Sequence, residues 1–159
     1  MTFIASNALS CPLVMSSVGV NNGGWANYPL NTYLNNRLYG AFSSQWKQLM
    51  KQVKVKSSIG NKSTELSSSD CYIFIPSISE IDTGITSEPY ASEGTHISHF
   101  VSSTSKICHT PDGTAVQYWT RSPNVAYDTY VYRISNTGTS QGVTLPYLSD
   151  VYVRIMISM

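Results

Sequence analysis

Tyr118-Trp119-Thr120-Arg121-Ser122-Pro123 is the stretch on which the reading of this chain turns. On a strand, successive side chains point to opposite faces. Trp119 and Arg121 then share one face, and Tyr118, Thr120 and Ser122 share the other. Pro123 ends the run. An arginine beside a tryptophan in so uncharged a segment is expected to be buried, and a buried guanidinium needs a carboxylate, backbone carbonyls or both. Glu80 and Glu93 are the candidate partners. Trp119, Arg121 and Glu80 are therefore expected to be structural, with direct contact of Arg121 to a ligand as the alternative.

Working outward, the C-terminal third reads as β-structure. Ala115–Ser122 is an expected strand. From Thr129 to Ser135, Tyr130, Tyr132 and Ile134 alternate with Val131, Arg133 and Ser135. Asn136-Thr137-Gly138 turns the chain, and Val151–Ile157 is a terminal strand. Upstream, Cys71-Tyr72-Ile73-Phe74-Ile75 is an apolar run closed by Pro76, as a buried strand would be. Ser77–Ile81 is one short helical turn, and Asp82–His99 a loop. Ser57–Ser69 is polar, with a turn at Gly60-Asn61, and Val53–Lys56 alternates enough to open a strand.

The first third is different. Leu30, Tyr33, Leu34, Leu38 and Phe42 share one helical face, with Pro29 suited to the first turn and Gly40 to the end. Ser43 or Ser44 can cap a second helix in which Trp46, Leu49, Met50 and Val53 form a stripe. Asn21-Asn22-Gly23-Gly24 is a turn signal, and Trp25 directly after it is expected to plug a core from a loop. Early helices and late strands give an α+β fold: a single domain over 1–159, with a strand or loop entering the fold at 1–20, a loop and two helices at 21–53, and strands with long loops at 54–159.

Composition narrows the function. Charged residues are 12% of the chain, about half the usual share of roughly 25%. The net charge of +1 and the absence of aromatics interleaved with the lysines argue against nucleic acid as partner. Ser, Thr and Asn make up about a third of the chain, and Tyr numbers 11, a palette suited to contact surfaces. Cys11, Cys71 and Cys108 are an odd count without a Cys-x-x-Cys pair, which points to free thiols. No apolar run reaches the roughly 18 residues of a membrane span, and Met1–Ser6 lacks the basic, then apolar, pattern of a signal peptide. The expectation is a chain made in the cytoplasm, without membrane insertion.

No constellation promises a reaction. Glu93, His96 and His99 have ligand spacing only on a helix, which their neighbours do not favour, so no metal or other cofactor is expected. Cys108 and His109 are adjacent and on a strand would face opposite ways. No Gly-x-Ser-x-Gly elbow or phosphate loop occurs. The acidic block containing Glu80, Asp82, Glu88 and Glu93 does not by itself mark a glycosidase pair. The chain is read as a non-enzyme.

The order of motifs resembles a domain of bacterial and phage proteins. The resemblance rests on Gly23-Gly24-Trp25, on Leu34-Asn35 in a helix, and on Asp70–Ser77 followed by Glu80. It continues through Glu93-Gly94 and Trp119-Thr120-Arg121-Ser122-Pro123, and covers the chain from about Asn21 onward. Such domains are similar to the formylglycine-generating, sulfatase-modifying group and imply a C-type-lectin-like fold: two helices packed on a small, mainly antiparallel twisted sheet with long loops. Val153-Arg154-Ile155-Met156 keeps the arginine of the family's Val-Arg-Pro ending without its proline. Glu88-Pro89-Tyr90 lacks the amide ligand of calcium-dependent sugar sites. The three cysteines match no catalytic pattern of the sulfatase-modifying enzymes.

What the resemblance implies is ligand binding: a receptor binder at a phage tail-fibre tip, or a diversified variable protein, with a cell-surface glycan or protein as partner. The place would be a virion or a bacterial surface. The ligand face tends to be rich in Tyr, Ser and Asn, and the matching residues here are Asn124, Tyr127, Asp128, Tyr130, Tyr132, Asn136 and Tyr147, with Ser135 and Ser140 among them. The alternatives are a structural virion or surface-assembly component, such as a homotrimeric tip or a partner of other tail proteins, and an enzyme of the sulfatase-modifying kind.

Overall fold

A computed structural model describes residues 1–159. The protein is a small α+β fold with short helices and several small antiparallel sheets. Strand β7 (Tyr118–Pro123) is buried along its whole length, and its two faces meet two cores. Trp119 belongs to a cluster with Trp25, Leu34, Ile73, Ile75 and Val153. Tyr118 belongs to a second one with Ile78, Ile81, Phe100, Cys108 and Ile134. Alternation along one strand thus assigns neighbouring aromatics to different cores.

Strand β1 (Thr2–Ile4) pairs antiparallel with β10 (Met156–Ser158), which pairs on its other side with β4 (Ile73–Phe74). The chain's first and last segments therefore lie together, and the Met1 amine donates to the Met159 carbonyl at 2.8 Å. The expected terminal strand is shorter than Val151–Ile157: Val151 and Val153 are buried outside the ladder, and Tyr152 makes only a single bridge to Tyr118. Likewise the apolar run 71–75 is divided, with Cys71 closing β3 (Leu66–Cys71) and Ile73 opening β4.

The first helical region begins with α1 (Gly24–Asn27). It continues as α2 (Pro29–Tyr33), a wide π-type turn at Leu34–Leu38, and α3 (Tyr39–Ala41). The wide turn holds Asn35, whose Oδ1 accepts from the N–H groups of Tyr72 (2.8 Å) and Ile73 (3.1 Å) while its Nδ2 donates to the Ile73 carbonyl at 2.8 Å. One amide thus fastens the helix to the start of β4. Helix α4 (Ser44–Leu49) is capped by Ser43, whose Oγ accepts from Trp46 N. The expected stripe on α4 does not enter the core: Trp46 is 47% and Leu49 56% exposed, and only Met50 is buried. The chain turns away at once, because Val53 already begins β2 (Val53–Ser58).

β2 and β3 form a hairpin through a turn containing Gly60, Asn61 and Lys62, all with positive φ. The second strand, Leu66–Cys71, lies in what reads by sequence as a polar loop. From Leu66 to Asp70 its side chains alternate between exposed and half-buried, and only Cys71 is buried, so no hydrophobic period marks it. The remaining pieces follow in order: α5 (Ile78–Ile81), α6 (Ser103–Lys106), β5 (Cys108–His109), β6 (Ala115–Val116), β8 (Val131–Ile134) and β9 (Ser140–Thr144). β7, β8 and β9 form one sheet. β9, rich in polar residues and glycine, is a further strand that hydrophobic patterning does not reveal.

Candidate binding site

The site rests on a buried ion cluster. Arg121 is 2% exposed. Its Nε donates to the Lys56 carbonyl at 2.8 Å, one terminal nitrogen to the Ile75 carbonyl (2.8 Å) and Glu80 Oε2 (2.7 Å), and the other to Glu80 Oε1 (3.0 Å) and the Glu93 carbonyl (2.7 Å). A guanidinium carries five N–H donors in a fixed fork, and here the fork is filled. Glu80 also closes a capping box with Ser77, its Oε2 accepting from Ser77 N at 2.8 Å. Gly94 stands against it because a Cβ there would fall 2.2 Å from Glu80 Oε1.

Glu93 sits beside this pair. Its Oε1 accepts from Ser58 N at 2.7 Å, and its Oε2 bonds the Ser122 hydroxyl. Burial pushes its carboxyl up to about 7, against the opposing pull of Ser122, Ser58 N–H and Arg121. The expectation that Arg121 requires Glu80 or Glu93 is met by both, the first through its carboxylate and the second through its backbone. Trp119, fully buried, donates Nε1 to the Leu13 carbonyl at 2.7 Å. Trp25 is fully buried as expected.

Next to this cluster lies an aromatic face, held by a residue that sequence reasoning read only as part of a turn. Asn21 is fully buried. The two N–H bonds of its Nδ2 are shared among the carbonyls of Asn124 (3.2 Å), Tyr127 (3.0 Å) and Tyr130 (2.7 Å), and its Oδ1 accepts from Asn61 N at 2.7 Å. Its own backbone N–H donates to the Asp128 carbonyl at 3.0 Å. The loop between β7 and β8 is wrapped around this one amide. Gly24 makes the approach feasible from the other side: it has φ +57°, and a Cβ there would meet the Ser58 carbonyl at 1.9 Å. The sequence signal was present in Asn21-Asn22-Gly23-Gly24, but it names a turn and not what the turn grips.

The residues expected to contact a ligand are only partly together. Tyr127 is 45% exposed and its ring meets Tyr130 edge-on at 5.2 Å. Asp128 is exposed between them and pairs with Lys62 at 3.4 Å. Tyr147 is 46% exposed and lies over Gly19, where a Cβ would come within 3.1 Å of its ring. The segment 15–21 is tied to both: Met15 and Ser16 donate to the Pro146 carbonyl, and Asn21 grips the 124–130 loop. Val18 and Val20 are exposed on that segment, and neither was singled out from sequence.

The other three lie elsewhere. Asn124 is buried, donating to the Gly142 carbonyl at 2.6 Å and accepting from Ala126 N at 3.0 Å. Tyr132 is half-buried and packs edge-on against Tyr90 at 5.3 Å. Asn136 follows the far end of β8 in the 135–139 turn, which is closed by the Ser135 hydroxyl.

The histidines and Cys108 do not converge on one pocket. His96 bonds the Phe100 carbonyl at 3.2 Å, and His99 packs on the Phe100 ring. Cys108 is buried while His109 is exposed, and burial raises the Cys108 thiol. No three His, Cys, Asp or Glu side chains gather as a metal site. No helix is long and apolar enough to cross a membrane.

Compared with known protein families, residues 2–155 match a domain described as a domain of unknown function, DUF6273. No curated protein and no solved structure matches the chain.

Proposed function

The chain belongs to the DUF6273 family, and from the geometry of its aromatic face we propose that it is a non-enzymatic binding module for a cell-surface glycan or protein receptor. Its setting is a phage tail-fibre tip or a diversified surface protein. The observation that carries the reading is the placement of Tyr127, Asp128 and Tyr130 on a loop pinned by the buried Asn21 amide, with the exposed Tyr147 held over Gly19 on the segment that leads into Asn21. Exposed tyrosines on a fixed backbone offer large contact area at low entropic cost, since ordering was already completed on folding. The buried charged groups, by contrast, are engaged inside: both Glu93 oxygens, both Glu80 oxygens and the whole Arg121 fork have partners.

A C-type-lectin-like arrangement is part of the same proposal. It is supported by the order of the resembling motifs and by their placement: Trp25, Asn35, Glu80, Gly94, Trp119 and Arg121 all sit at posts between elements.

The test is to replace Tyr127 and Tyr130 with Ala, singly and together, and to measure binding to a bacterial glycan array and to intact bacterial cells. The double variant is expected to lose at least tenfold in binding while its thermal transition stays cooperative. Unchanged binding would remove this face as the receptor site. A protein whose tyrosines are buried between subunits in solution would instead favour the structural role.

A further inference from the structure

Strand β2 has a partner on one edge only, and the way its hydrogen bonds alternate shows what the other edge offers. In an antiparallel pair, successive residues direct their N–H and C=O alternately toward and away from the partner strand. Ile59 donates to Glu65 across the β2–β3 hairpin, so odd-numbered residues face β3. Lys56 and Ser58 face away: the Lys56 carbonyl receives Arg121 Nε, and Ser58 N–H donates to Glu93. By the same alternation Lys54 directs both its N–H and its C=O outward, and Lys56 its N–H, with no strand hydrogen-bonded to them.

That edge runs along an open cleft. The cleft has a volume of about 530 Å³, within the roughly 300–1,000 Å³ of ligand pockets. Val53, Val55, Phe74, Ile97 and Met156 supply its apolar lining, and Lys54 and Lys56 stand exposed beside it. The Arg121–Glu80 pair on its wall is charge-neutral, and the Glu93 carboxyl that also lines it is turned to Ser58 N–H and the Ser122 hydroxyl.

We propose that this cleft binds an extended acidic segment of a partner protein, which adds as a strand to the free edge of β2. Main-chain bonds to Lys54 and Lys56 would supply the affinity common to strand addition, and alternate side chains the specificity. Residues on the lysine face of the added strand are carboxylates; those on the Val55 face are apolar and enter the cleft. The charge pattern rejects a second copy of this chain, because pairing β2 edge to edge would set lysines against lysines. The site is independent of the aromatic face, so either can fail alone.

A random octapeptide display library is the probe, selected on the intact protein and followed by anisotropy titrations of the enriched peptides. Alternating acidic and apolar peptides are expected. Their affinity should fall two- to threefold in Lys54→Gln, which removes one charge, and at least tenfold in Lys54→Pro, which also removes the outward N–H while sparing the bonds to β3. If Lys54→Pro does not fold, the amide resonances of Lys54 and Lys56 in the unmodified protein are the readout, and both must shift on titration. Failure to enrich acidic peptides, equal binding to Lys54→Pro, or unmoved Lys54 and Lys56 amides would each overturn the proposal.

Discussion

Glu93 is the residue whose ionisation the fold does not favour. Arg121 and Glu80 already cancel each other in a bidentate pair, so a neutral Glu93 leaves the cluster neutral, and burial raises its pKa to about 7. A group whose folded pKa is raised stabilises the fold fully below its unfolded value and loses that contribution as pH climbs through the folded one. The window runs from an unfolded value near 4.5 to about 7. Across it, Glu93 should withdraw on the order of 3 kcal/mol. Glu93→Gln, which keeps an acceptor for Ser58 N–H and a donor for Ser122, is expected to flatten that part of the pH–stability curve. Urea titrations at pH 5 and pH 8 would show it, and an unchanged pH slope would contradict the assignment. The pairing at this site was legible beforehand, because a buried arginine in a chain with nine acidic residues has few partners to choose from. Asn124 was not legible in the same way: an amide turned inward to a carbonyl and one turned outward to a ligand are the same letter.

Among the elements, the contrast lies between a helix fastened by hydrogen bonds and one resting on the surface. The 29–41 helix is fixed to β4 through Asn35, and removing that side chain strands the N–H groups of Tyr72 and Ile73. Asn35→Ala is therefore expected to cost roughly 2–4 kcal/mol. Trp46→Ala on α4, where the ring is half exposed and touches Phe42 edge-on, should cost less than about 1 kcal/mol. Equal losses in thermal melts would refute the distinction. Helical periodicity located both helices, yet it reports only that an apolar stripe exists, not whether a neighbour covers it. That is why the stripe of α4 misled. β3 and β9 were hidden for the opposite reason, since strands held mainly by backbone bonds and bordered by solvent carry no apolar alternation to read.

For the molecule as a whole, the decisive pairing joins its extremes. β10 is the middle strand between β1 and β4. Removing residues 1–4 takes away an edge, while removing residues 156–159 separates β1 from β4 and uncovers the first core, to which Met156 belongs. The second truncation is expected to consume much of the roughly 5–15 kcal/mol that holds a domain together, and the first a minor share. Chemical denaturation of the two forms would rank them, and the reverse order would disprove the topology's weighting. At this scale the α+β class and the role of β7 were readable in the chain, whereas the meeting of its two ends was not, because strand partners so distant leave no local mark.

The loop between β7 and β8 has one property of a different kind. Asn21 holds it by the carbonyls of residues 124, 127 and 130, and Tyr90 holds it by the N–H of Val125 at 2.9 Å. Those are atoms that nearly every amino acid brings, proline at 125 excepted. The clasp is blind to identity between its anchor points: Asn124 is fixed by its own buried amide, but the side chains at 126, 127 and 128 can change letter by letter while every bond that gives the loop its shape stays in place.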